Sequence, residues 1–175
     1  MRVFITVLVL IFSLQSWTKA DDIRDFQIEG MSIGDSLMDY FSESEINKSR
    51  KVKKYKDKTY TTLQFDDFKS ENYDYISLSY KTNDKFYIIV GVSGGKYYDK
   101  KIKDCYKKQD EIYEDLQELF PNAKLYEVRI RKMTGLKNST TRQAYLKLKD
   151  GSFSGIQCYK YGKEDNLATK RKDVL

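Results

Sequence analysis

The stretch DKKIKDCYKKQDEIYEDLQELF, residues 99–120, decides the fold class. Ile102, Cys105, Tyr106, Gln109, Ile112, Tyr113, Leu116, Leu119 and Phe120 recur at the period of an amphipathic helix. Pro121 stops that helix, because proline has no amide hydrogen to continue the ladder. The charges oppose the helix dipole: Lys100, Lys101 and Lys103 crowd its start, and Glu114, Asp115 and Glu118 its end. Each exposed charge so placed costs up to about 1 kcal/mol. Packing, and not local propensity, therefore has to hold this helix.

Strands flank it on both sides. Downstream, residues 125–130 read as a strand with Tyr126, Val128 and Ile130 on one face. Residues 143–149 place Ala144, Leu146 and Leu148 together. Lys149-Asp150-Gly151-Ser152 then predicts a tight hairpin, since Asp-Gly tolerates positive φ, and residues 153–161 return. Upstream, Tyr60–Phe65 is rich in Thr and aromatics, and residues 74–80 alternate Ile76, Leu78 and Tyr80 with serines. Residues 86–92 set Phe86, Ile88, Val90 and Val92 on one face, joined to the preceding strand through Thr82-Asn83-Asp84-Lys85. Gly91 to Lys96 is glycine-rich, but a phosphate loop would need Gly where Val90 stands and Ser or Thr where Tyr97 stands. It reads as a strand end.

The region before these strands predicts a short extended segment over 25–30 and then a helix. Ser32 is its N-cap, Asp35 follows three residues on, and Ile33, Leu37 and Phe41 form one apolar face. Ser42 and Glu45 repeat the cap signature for a second short helix. The order is helix, three strands, helix, three strands, which reads as a duplicated helix-plus-three-strand unit. The expected fold is α+β, an antiparallel sheet of about six strands with helices on one face.

Met1-Arg2 and an apolar run over 3–14 precede Thr18 and Ala20, small residues at the −3 and −1 positions of a cut before Asp21. These are the parts of a secretory signal. A membrane-spanning helix needs about 20 apolar residues, and this run of twelve is interrupted by Thr6 and Ser13. The expected organisation is a cleaved leader over 1–20, one domain over 21–162 and a polar tail over 163–175. The product is exported without spanning the membrane: periplasmic in a Gram-negative host, secreted otherwise. Cys105 and Cys158 form an even pair in an oxidising compartment, which favours a disulfide.

Loss of Arg2 and Lys19 with the leader leaves 30 basic groups against 26 acidic, a charge of +4. Residues 48–58 alone hold seven basic groups against Asp57. The basicity is thus local. Lys51, Lys53, Lys54 and Lys56 are the candidate contact for an anionic envelope component or an acidic protein; the bland reading is a solvated linker between helix and sheet. Nucleic acid is not an expected partner outside the cytoplasm. The abundance of Lys, Asn, Ile and Tyr also matches the codons of an AT-rich genome, so richness in Lys or Tyr alone argues for nothing.

The chain has no histidine and two cysteines, which removes nearly every zinc, copper or haem site, and no cofactor is read from it. Gly34-Asp35-Ser36-Leu37 resembles the nucleophile block of the GDSL hydrolases, a resemblance that implies Ser36 as nucleophile. Such a serine needs a neighbouring base, and the histidine that family uses is missing. Ser36 is expected to be structural. Residues 28–37 are similar to small exported proteins of marine alphaproteobacteria. Gly30-Met31-Ser32 resembles the Gly-Met-Thr segment of the SmpA/OmlA outer-membrane assembly family, which implies an envelope role. The lipidation cysteine of that family is absent here. Two functional classes follow: a non-enzymatic binding or envelope-accessory module, and a hydrolase working through carboxylates. Two carboxylates about 5–10 Å apart in one pocket would mark the second, and an apolar groove or open sheet edge the first.

Overall fold

A computed structural model describes residues 22–52, 58–98 and 101–164. The chain is α+β, but its strands build two antiparallel meanders in place of the one expected sheet. The first runs β3 (Arg50–Val52), β4 (Tyr60–Phe65), β5 (Tyr75–Lys81) and β6 (Ile89–Gly95), each strand beside the next. The second runs β7 (Lys124–Lys132), β8 (Thr140–Lys147) and β9 (Phe153–Lys160) in the same simple order. A ribbon of β1 (Gln27–Ile28) with β2 (Met31–Ser32), a 3-10 turn over Leu37–Asp39 and helix α1 (Glu43–Lys48) precede the first meander. Helix α2 (Ile102–Leu119) precedes the second. A helix followed by a meander thus occurs twice, with four strands and then three.

Each meander has its own core, which is why they form separate sheets. Leu37, Phe41 and Ile46 cover Leu63, Ile76, Leu78 and Ile89 of the first. Leu116 of α2 and Phe120, its C-cap, cover Leu146, Leu148 and Ile156 of the second. The N-terminal lead joins them: Ile23 is buried in the second core, Ile28 and Met31 in the first, and Phe26 packs against both.

Helix α2 keeps the face read from its period, with Cys105, Gln109 and Leu116 buried. Lys101 at its N-cap makes no side-chain cap bond, and no basic residue stands in its last turn. Burial against β8 and β9 holds it, together with a Cys105–Cys158 disulfide whose Cα atoms are 6.1 Å apart. Ser42 and Glu45 form the expected capping box of α1. Gly151, at φ 94°, makes the expected Asp-Gly turn.

Four local readings change. The helix expected from Ser32 does not form. The Asp35 carboxylate does reach back to the Ser32 amide at 2.8 Å, so the cap bond is present without its helix. Gly34 sits at φ +102°, and its amide donates to the Ile89 carbonyl at 2.9 Å, while the Ile89 amide donates to the Asp35 backbone carbonyl at 2.8 Å. Docking on the start of β6 wins over helix propensity. The second change is in the basic run, which reads as a linker: Lys48 ends α1 and Arg50–Val52 is a strand, with Lys51 paired with Leu63 and Val52 with Thr62. Lys53, Lys54 and Lys56 lie outside the described residues.

The third change is in β6. Phe86, Ile88 and Val90 are exposed, and Ile89 is the fully buried residue. The pairing with β5 slips between Ser79 and Tyr80, and Tyr87 takes φ 51°. A slip of one residue exchanges the two faces of a strand. The fourth is in β7, where a bulge between Tyr126 and Arg129 takes Val128 out of register. Tyr126 then falls on the helix-free face beside Tyr145, and Ile130, opposite Arg142, falls on the α2 side, 62% exposed.

Candidate binding cleft

Alternation along β4 and β5 sends Leu63, Ile76, Leu78 and Tyr80 into the first core, so Thr62, Gln64, Ser77 and Ser79 form the opposite face. That face is polar yet covered: Thr62, Gln64 and Ser77 are all buried. It faces a cleft of about 580 Å³, within the range of small-molecule sites. Ser93, Gly91 and Gly94 of β6 continue the floor. Ile112 and Leu116 of α2 and residues 153–157 of β9 contribute from the second meander, and Ile23, Phe26, Ile28 and Ile33 from the lead.

No Asp, Glu, Lys or Arg is among the described residues lining this cleft, in a chain that is one-third charged. The polar groups on its floor are hydroxyls and amides. Thr62 Oγ1 lies 2.8 Å from Ser79 Oγ, Gln64 Nε2 donates to Asp66 Oδ1 at 2.5 Å, and Ser93 Oγ donates to the Ser77 carbonyl at 3.4 Å. Rings border the space as well. The glycines at 94 and 95 admit two of them: a Cβ on Gly94 would overlap the Tyr73 ring, and one on Gly95 the Tyr75 ring. Burial, with a smaller contribution from Glu29, pushes the Tyr73 phenol up; burial, with Tyr161, does the same for Tyr159, whose hydroxyl donates to Gln157 Oε1. Both phenols therefore stay neutral near pH 7, and the described lining carries no charged side chain there.

The residues singled out by sequence lie elsewhere. Cys105 and Cys158 are bonded and fully buried, with a structural role behind the β9 wall. Ser36 caps the 3-10 turn: its Oγ donates to the Phe86 carbonyl at 2.8 Å and accepts from the Met38 amide at 3.2 Å. Lys51 is exposed, one residue from Val52 of the cleft lining. Among the described residues no group of three His, Cys, Asp or Glu is placed to hold a metal ion. The cleft residues escaped sequence reading because they are the polar half of alternating strands, which reads as a solvent face. The one available signal was the smallness of that half, with Ser77 and Ser79 in β5 and Gly91, Ser93 and Gly95 in β6.

No known family matches this chain, and no curated protein or solved structure matches it.

Proposed function

We propose that the protein is an exported, non-enzymatic binding module that holds a small neutral, largely apolar ligand in the cleft between its two meanders. The absence of any charged side chain from the described lining carries this reading. A carboxylate hydrolase needs two acids about 5–10 Å apart, and none of the described lining residues is an acid. A neutral ligand loses no solvated charge on entering such a site, whereas an ion would leave water without a partner. Hydroxyls and amides on the floor supply orientation, and Ile, Val and Phe side chains supply burial.

The leader-like start of the chain and the Cys105–Cys158 bond support an extracytoplasmic address, periplasmic in a Gram-negative host and secreted otherwise. Among the described residues no helix is long and apolar enough to cross a membrane. The resemblances over residues 28–37 support an envelope-accessory setting. In that setting the basic run, with Lys51 exposed at its start, makes a salt-sensitive contact to an anionic envelope component.

The experiment is a fluorescence titration with N-phenyl-1-naphthylamine, a neutral apolar probe that brightens on leaving water. The parent should bind it at one site. Ser93→Phe, which fills the floor with a neutral side chain, should abolish the signal while leaving the melting temperature within a few degrees. No enhancement with the parent, or equal enhancement with the variant, would overturn the reading.

A further inference from the structure

The edge of the second sheet opposite β9 carries an inference independent of the cleft. Strand β7 ends that sheet, and all but one of its nine residues are exposed. Lys124, Arg129, Arg131 and Lys132 stand on it against a single acid, Glu127. Leu125 is 48% exposed and Ile130 62%. The Tyr126 carbonyl is already taken by the Tyr113 hydroxyl at 2.9 Å, and the bulge follows it, so among the described residues the regular free edge is 129–132.

Register divides the side chains of that edge. Arg129 and Arg131 lie opposite Gln143 and Thr141 on the helix-free face, and Ile130 lies opposite Arg142 on the α2 face. Arg142 itself is committed to α2, donating to Gln109 Oε1 at 2.7 Å and to Asp110 at 2.6 Å. A strand added to a free edge forms backbone bonds along it and meets its side chains face by face. Opposite Arg129 and Arg131 such a strand needs acids, and opposite Ile130 an apolar residue. A second copy of this chain does not fit, because antiparallel self-pairing over 129–132 sets cation against cation on one face.

We propose that the β7 edge docks an extended segment of a partner polypeptide in which acidic and apolar residues alternate, added as a fourth strand to the β7–β9 sheet. Charge and alternation together select this occupant, and the backbone edge and its alternating faces set the register.

The probe is an acetylated, amidated Glu-Val-Glu-Val-Glu-Val-Glu peptide, titrated into the full-length protein with amide NMR shifts as the readout. Binding should move the resonances of residues 129–132 and weaken at least about tenfold between low and high salt. N-methylation of alternate peptide amides should abolish binding in one frame and spare it in the other, because only one edge of an added strand bonds to β7. The Arg129→Glu/Arg131→Glu variant should reject this peptide and bind the Lys-Val counterpart. Several results would overturn the proposal: no binding, equal weakening in both methylation frames, retained binding by the charge-reversed protein, preference for anionic vesicles over the peptide, or dimerisation through β7. The methylation test uses the parent protein, so it decides the matter even if the variant fails to fold.

Discussion

The side-chain amide of Gln109, in the middle of α2, donates to the carbonyl of Ile156 on β9 at 2.8 Å. The same nitrogen reaches the Arg142 carbonyl at 3.0 Å, and Gln109 Oε1 accepts from the Arg142 guanidinium at 2.7 Å. Gln109 is fully buried, so this one residue ties the helix to two strands where no water can substitute. Gln109→Leu keeps the volume and removes these bonds, leaving buried partners unsatisfied. We expect a loss of about 2–3 kcal/mol, read from the midpoint of urea unfolding. A loss under about 0.5 kcal/mol would mean that Arg142 and the carbonyls find new partners.

With no side-chain cap at its start and no basic residue in its last turn, α2 depends on its covalent tie. The bond joins residues 53 apart in sequence, and closing a loop of that length stabilises by about 4 kcal/mol in the chain-entropy model. The Cys105→Ala/Cys158→Ala protein should lose a stability of that order, and reductant should change the parent's melting temperature but not the variant's. Recovery of both thiols free and alkylated in non-reducing peptide mapping of the protein would refute the bond.

Ser36 should behave as a cap. Its Oγ is engaged with the Phe86 carbonyl and the Met38 amide, and no histidine exists to take its proton. Ser36→Ala should cost about 1 kcal/mol and leave ester hydrolysis at background. Stoichiometric labelling of Ser36 by a fluorophosphonate would contradict this role.

Tyr40 and Asp35 couple the turn after β2 to pH. The Tyr40 hydroxyl donates to Asp35 at 2.6 Å. That bond, with the Ser32 amide second, holds the Asp35 carboxyl below its ordinary value, and the same bond pushes the Tyr40 phenol up to about 12. Asp35 therefore contributes stability above its unfolded value, about 3.9, and the contribution is lost as acid protonates it. Tyr40 contributes below its own unfolded value, about 10, and its share is lost as pH rises toward 12. Asp35→Asn should flatten the acid limb of the stability profile and bring Tyr40 down in a phenolate absorbance titration. An unchanged alkaline titration in that variant would break the assignment.

Much of this architecture was written locally. The apolar period of α2, the Asp-Gly turn at Gly151, the capping box of Ser42 and Glu45, and the inward set Ala144, Leu146 and Leu148 all follow from neighbours within a few residues, where periodicity and turn chemistry act. The pairing of Cys105 with Cys158 was readable because only two cysteines exist. What failed was non-local. Ser32 and Asp35 make the bond that their spacing announces, but contact with β6, some 50 residues away, holds their backbone extended. A slip at Ser79 and a bulge after Tyr126 turn over the faces of β6 and β7, and no composition rule marks either. The division into two sheets was equally unreadable, since alternating strands look the same whether their cores merge or stand apart. The cleft exists because of that division. Thr62, Gln64 and Ser77 read as an ordinary wet face in the sequence, and only the second meander, brought over them by the fold, makes them the floor of a site.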